Sequence, residues 1–318
     1  VNTPLQLARS LVMEPLKVWL TLLRIMVPII IIVKVLKELD LIRYAALPLA
    51  PFMKLVGLPG DMGLVWATAL VNNLYSAIVV YAALARDAAP LTAAQVTVLA
   101  TMMLVAHNMP LELSIARRCG VSFWAQTAVR MGGALLSGAC LSVLFTSLNV
   151  LQEPAVLLWT ARPETGGLLD WALGQARNLG WIYCIIFSLM TLMRLLNLLR
   201  ITDLFTFLLK PVLRLMGIGP KAATITIIGL TMGIAYGGGL MIHEARSGVM
   251  TARDLFSAIS LMGLTHALVE DTLLMLLMGA HLAGIFWWRL VFSLLAVALL
   301  GRLYVAVRGA EAAAAPAG

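Results

Sequence analysis

Long apolar runs recur along the chain, separated by short segments that gather Lys, Arg, Gly and Pro. Several runs reach the ~20 residues that a helix needs to cross a hydrocarbon core about 30 Å thick. They are unbroken rather than alternating, which predicts helices and not the strands of a barrel. No other structure satisfies its own backbone inside a bilayer. In the first half the pattern predicts a hydrophobic helix at 18–38 and a short amphipathic helix at 44–56, stopped by a Gly/Pro signal. An apolar segment at 62–85, a helix with polar residues at 93–118 and a last apolar helix at 122–147 follow. The second half predicts the same order at 180–199, 203–216, 222–245, 252–278 and 283–305.

The two halves also match residue by residue. At an offset of 160, Lys34 falls on Arg194, Pro51 on Pro211, Lys54 on Arg214, Gly57 on Gly217 and Arg86 on Arg246. After a one-residue slip, at 159, Thr92 falls on Thr251, His107 on His266, Glu112 on Asp271, Gly120 on Gly279 and Arg130 on Arg289. Ten ordered matches, mostly charged, Gly, Pro or His, point to a duplication. The expected units are a membrane repeat at 1–150, a more polar linker at 151–178 with an amphipathic helix around 168–176, a second repeat at 179–308 and a disordered tail at 309–318.

The segments 62–85 and 222–245 have unusual centres. One reads "LVNNLYS", with Asn72 and Asn73 side by side; the other reads "TMGIAYGGGLM", with Tyr236 before Gly237, Gly238 and Gly239. Adjacent amides or three glycines weaken a helix, and a membrane tolerates freed backbone only against protein or a water-filled cavity. Broken segments at matching places in two halves point to a transporter site; close helix packing at the glycines is the alternative. If these segments are re-entrant, each repeat has three crossings and the repeats are inverted. If they span, each has four crossings and the repeats are parallel. The inverted arrangement is the expected one, although the bias of Lys and Arg between the two faces is modest.

Composition narrows the class further. The mean hydropathy is +0.96 and only 12% of residues are charged, against roughly 25% in soluble domains. An all-α, polytopic integral membrane protein in a bacterial inner membrane is expected. The net charge of +8 fits basic residues in loops and at headgroups, and forms no basic stripe for nucleic acid. Three cysteines (Cys119, Cys140, Cys184) have no paired spacing, so neither a disulfide framework nor a thiolate metal site is expected.

Against that background, "LVAHNMPLELS" places His107, Asn108 and Glu112 around Pro110 at the end of an apolar run. His107 and Glu112 would sit about 140° apart on an unbroken helix, but a proline breaks or kinks it, so both can turn to one space. In the second half, His266 and Glu270 share a helix face, with Asp271 beside them. Ionisable groups within spans usually face a bundle interior, so the two His/acid pairs would form one central site around a pseudo-two-fold. Three readings compete: a binding site for a polar solute, a divalent-metal path, and a structural network in which His and acid satisfy one another. Arg130 and Arg289 either snorkel to headgroups or pair with these acids. No H-E-x-x-H, G-x-S-x-G or P-loop pattern is present, and no enzymatic activity or cofactor is expected.

The unit "LKPVLRLMGIGPKAATITIIGLTMGIAYGGGLMI", with its weaker copy "LAPFMKLVGLPGDMGLVWATALVNNLYSAIVVYA", resembles the Gate, or nucleoside-recognition, domain. That domain occurs in spore maturation proteins, in concentrative nucleoside transporters and in GTPase-linked ferrous-iron transporters. The resemblance covers nearly the whole chain, one unit per repeat. It implies broken or re-entrant segments near a permeation path, with Asn72, Asn73, Tyr236 and Gly237 to Gly239 as site candidates. The expectation is therefore a transporter or permease for a small polar solute, nucleoside-like by resemblance, held in a lipid bilayer and with a homo-oligomer left open. A divalent-metal transporter and a non-transporting membrane scaffold are the alternatives, and the metal ligands, if any, are left unassigned.

Overall fold

A computed structural model describes residues 4–85, 90–157, 167–248 and 250–314. Helices account for almost all of the ordered structure, and among the described residues the only β pairing is a bridge between Thr92 and Pro154. The first half runs α1 (Pro4–Glu38), α2 (Ile42–Ala46), α3 (Ala50–Leu55), α4 (Met62–Val71), α5 (Leu74–Leu84), α6 (Ala93–Val105), α7 (Met109–Arg118) and α8 (Phe123–Ser147). The second half runs α9 (Leu168–Leu198), α10 (Ile201–Leu215), α11 (Pro220–Met232), α12 (Ile234–Arg246), α13 (Ala252–Thr265) and α14 (Glu270–Leu276). A π-helical turn at Ala283–Trp288 then leads into α15 (Arg289–Ala314).

Six stretches are long and apolar enough to cross a membrane: Val12–Glu38, Ala93–Arg118, Phe123–Ser147, Leu168–Leu196, Ala252–Leu276 and Ala283–Ala306. The chain is a multi-pass membrane protein. Ala93–Arg118 and Ala252–Leu276 are mostly buried within the protein, while the other four turn most of their surface outward. The outward faces are apolar, as with Leu20, Ile31 and Ile32 on α1 and Leu295 and Leu299 on α15, which suits lipid contact.

The apolar segments 62–85 and 222–245 each fold into two helices packed side by side. In the second, a methyl group added at Gly237 of α12 would lie 2.5 Å from Cα of Gly229 in α11. Residues eight apart touch only if the chain doubles back. At the open end, Lys221 near the start of α11 pairs with Glu244 near the end of α12 at 2.5 Å, so both ends lie together. The turn is at Gly233, whose φ of 86° and ψ of 168° suit glycine alone. In the first hairpin the turn is at Asn72 and Asn73; the Asn73 carboxamide caps α5 by accepting from Ser76 N at 2.9 Å.

The expected continuous helices at 93–118 and 252–278 are each interrupted. Asn108 and Ala267 take left-handed backbone angles at the two interruptions, with φ of 46° and 44°. Pro110 lies in the first turn of the new helix α7, where its missing N–H costs nothing. Helix α8 returns along this broken span: Arg130 reaches Val105 and Glu112, and Gly138 lies against Met102. The two halves interlock through Gln126–Ser260, Trp288–Ser137 and the His281 N–H on Thr97, each at 2.8 Å. One apolar core runs through both.

Positions 159 or 160 apart repeatedly share local geometry. Gly57 and Gly217 have φ of 72° and 79°, Gly120 and Gly279 78° and 85°, Asp40 and Arg200 54° and 55°. Thr92 and Thr251 both form capping boxes at the starts of α6 and α13.

Several expectations are corrected. The linker helix at 168–176 and the helix at 180–199 are one helix, α9. The amphipathic segment 44–56 is two short helices flanking Pro48, because proline has no N–H with which to continue the helical hydrogen bonds. Gly237, Gly238 and Gly239 do not break a helix; they lie inside α12, and the break is four residues earlier at Gly233. The last helix reaches Ala314, into the segment read as a disordered tail, and 315–318 lie outside the described residues. Arg86, one of the offset matches, also lies outside them.

The hairpin packing predicts a contrast between neighbouring glycines. Gly237→Val drives a side chain into the Gly229 backbone and Met262 and is expected to cost about 1–3 kcal/mol. Gly239 has open space beyond it and lies inside α12, so Gly239→Ala is expected to leave the thermal unfolding midpoint in detergent unchanged or slightly raised. Equal midpoints for the two variants would refute the hairpin contact.

Candidate functional site

The interrupted spans place a histidine at each interruption. In an unbroken helix the Met103 carbonyl would accept from the backbone N–H of residue 107. Here it accepts from ring Nδ1 of His107 at 2.9 Å. Met262 and His266 repeat this contact, also at 2.9 Å. A carbonyl can only accept, so Nδ1 carries a proton in both rings, and in the neutral ring Nε2 keeps its lone pair. The hairpin turns complete the local bonding. Asn108 N donates to Ala69 O at 2.9 Å, and Leu268 N donates to Leu230 O at 2.8 Å.

Both imidazoles then point their Nε2 atoms into one buried space. The ring centroids are 4.9 Å apart. Glu112 Oε1 stands 3.8 Å from Nε2 of His107 and 3.6 Å from Nε2 of His266. Asp271 Oδ2 stands 4.0 Å from each. These separations exceed hydrogen-bond length, so the four groups face one another without bonding. One ligand atom from each of His107, His266 and Asp271 falls within 4.8 Å of the others.

Two buried arginines flank the centre. Arg130 is 1% exposed and Arg289 0%, so neither snorkels to headgroups. Arg130 holds Glu112 through an ion pair, Nη1 to Oε2 at 2.8 Å, and a hydrogen bond, Nη2 to Oε1 at 3.3 Å. Arg289, its counterpart 159 positions on, makes no such pair. It donates from Nη2 to Leu268 O and Thr272 Oγ1, both at 3.4 Å. Its Nε and Nη1, and Oδ2 of Asp271, are buried without a hydrogen-bond partner. Glutamate reaches its arginine; aspartate, one methylene shorter, does not.

The other sequence candidates divide. Asn108 makes the left-handed turn into α7 and is bound through its backbone. Asn72 and Asn73 bond to each other at 3.0 Å and to Ser76 at the hairpin turn, which is a structural use of both amides. Gly237 and Gly238 are packing positions against Gly229 and against Ile115, and Gly239 faces outward. The Tyr236 side chain lies outside the described residues. Glu270 opens α14, half-buried, beside Asp271. Thr272 and the opposite fates of the two arginines were not read from the sequence, although the Arg130/Arg289 match already marked the arginine positions.

Among known proteins, the chain is 28% identical over 263 residues to the "Uncharacterized membrane protein YvoD" of Bacillus subtilis (strain 168), covering 81% of this chain and 82% of that protein. No family model matches the chain, and no solved structure matches it. The likeness agrees with a membrane protein and carries no substrate.

The Arg130–Glu112 pair generates a stability prediction. Arg130→Met leaves the Glu112 carboxylate buried beside two imidazoles and is expected to cost about 3–5 kcal/mol. The double variant Glu112→Gln/Arg130→Met removes both charges and is expected to recover part of that loss. A thermal-unfolding double-mutant cycle with strictly additive costs would show that the pair is not coupled.

Proposed function

We propose that this chain is a membrane transporter for a small polar solute or ion, and not an enzyme, with its site at His107, His266, Glu112 and Asp271. The observation that carries this reading is the convergence of four discontinuities on one buried polar centre. Two hairpin turns and two interrupted spans meet there, bonded to one another through Asn108 and Leu268. Discontinuous elements in corresponding places, with ionisable groups between them, are how transporters build sites within a bilayer.

The matched local geometry 159 or 160 positions apart supports two copies of one unit. Each copy contributes three spans and one helical hairpin, and the ends of the second hairpin lie together. Three is odd, so the second copy enters the membrane in the opposite sense and the repeats are inverted. The likeness to Gate domains suggested a nucleoside. The spacing of the central groups within 4.8 Å suits something smaller, an ion or a single water, in this closed arrangement.

Flux in proteoliposomes tests the reading. Wild-type protein is expected to move at least one of a panel of labelled ions and small polar solutes, nucleosides included. His107→Ala and Glu112→Ala are expected to reduce that flux at least tenfold. No flux of any solute, with both variants still complementing a deletion strain, would favour a scaffold and sink transport. Topology is checked separately in a cysteine-free background. Cysteines at Lys54 and Arg214, both exposed, are expected to label from opposite sides of the membrane; labelling from one side would refute inversion.

A further inference from the structure

We infer that His107, His266 and Asp271 form a binding site for one divalent transition-metal ion, of the Zn2+ or Fe2+ kind. The inference rests on the transport reading and names its substrate class. Three observations carry it. First, each imidazole has its Nδ1–H committed to a backbone carbonyl at 2.9 Å. That arrangement orients a histidine and leaves Nε2 free as a metal ligand. Second, both Nε2 atoms and Oδ2 of Asp271 converge within 4.8 Å. Ligands about 2.0–2.1 Å from a tetrahedral ion lie roughly 3.4 Å from one another, so the Asp271–imidazole separations need to close by about 0.6 Å and the widest separation by up to about 1.4 Å. Third, Oδ2 of Asp271 is buried, has no hydrogen-bond partner and faces both Nε2 atoms at 4.0 Å. A buried carboxylate oxygen without a donor is costly unless something fills the place.

The surrounding charges fit the assignment. Glu112 is neutralised by Arg130, so the Asp271 carboxylate and two imidazole lone pairs face the ion, with the buried Arg289 guanidinium, which makes no ion pair, as the one opposing charge. Two histidines with one carboxylate are a borderline donor set, suited to transition ions over Ca2+ or Mg2+. Three protein ligands leave a fourth position open, as in sites that exchange what they bind. Glu112 Oε1, 3.6 and 3.8 Å from the two Nε2 atoms, stands where it can hold a water in that position while its other oxygen stays on Arg130.

Purified full-length protein in detergent, with any affinity tag removed, is titrated with Co2+ as the spectroscopic probe and then with Zn2+ in competition. One Co2+ per chain is expected, with visible bands of low-symmetry imidazole/carboxylate coordination that Zn2+ abolishes. His266→Asn and Asp271→Asn are expected to weaken Co2+ binding at least about tenfold. Zn2+ is expected to raise the unfolding midpoint of the wild type and not of these variants. If either variant elutes as aggregate, His107→Gln replaces it. A monodisperse wild type that takes up no Co2+ at millimolar concentration would overturn the site, as would His266→Asn binding Co2+ like the wild type. Zn2+ flux into proteoliposomes is measured apart from binding. Binding without flux upholds the ion site and sinks transport. Flux of an organic solute by a protein that binds no metal sinks the ion site and leaves transport standing.

Discussion

Everything at the centre of this protein follows from one constraint: inside a bilayer, a broken helix must find partners for the backbone groups it frees. The chain is broken in four places, and the breaks answer one another. The hairpin turn near Ala69 supplies a carbonyl to Asn108, and the turn after Leu230 does the same for Leu268. Met103 and Met262, whose carbonyls lose their helical donors, take ring protons from His107 and His266 instead. The histidines thus repair the backbone at the sites of interruption. The same contact fixes their tautomer and turns two lone pairs inward. Structural and chemical roles are therefore inseparable here, because the bond that stabilises the break also prepares the ligand atom.

The second theme is an asymmetry laid over a matched framework. Glu112 and Asp271 occupy corresponding positions, as do Arg130 and Arg289. Glu112 is spent on Arg130 at 2.8 Å. Asp271 falls short of Arg289 and faces the imidazoles, while Arg289 is left with two unpartnered donor nitrogens. A single methylene decides which carboxylate is free. With one of each acid, the centre holds one saturated pair and one carboxylate available to a ligand.

How much of this was legible beforehand depends on the residue. The order of elements, the spans and the meeting of His107, His266, Glu112 and Asp271 in one place could be read from hydropathy and from matches 159 and 160 apart. Gly237 to Gly239 misled, because glycines inside a helix look like a break when their purpose is close approach; Gly237 touches the Gly229 backbone. The break at Gly233 was hidden because a lone glycine in an apolar run carries no signal until its φ of 86° is seen. Arg130 and Arg289 could not be placed by pattern alone, since an arginine early in a transmembrane helix more commonly snorkels. Their burial depends on tertiary contacts from α6, α7, α13 and α14, which no local window contains.

The bonded Nδ1 atoms also separate this centre from an ordinary buried polar network. In such a network every donor and acceptor is satisfied, because a half-satisfied one is worse than an apolar core. Here the Nδ1 donors, the Arg130 guanidinium and both Glu112 oxygens are engaged. Three of the groups left without a hydrogen bond are the Nε2 atoms of both imidazoles and Oδ2 of Asp271, which stands 4.0 Å from each; Nε and Nη1 of the flanking Arg289 are unpartnered donors. All three are acceptors, or ligands to a cation, and their mutual repulsion makes them poor neighbours unless a proton, a water or a metal ion lies between them. A water can donate to only two of the three at once. A cation satisfies all three together, and the proposed ion site rests on that count more than on any single distance.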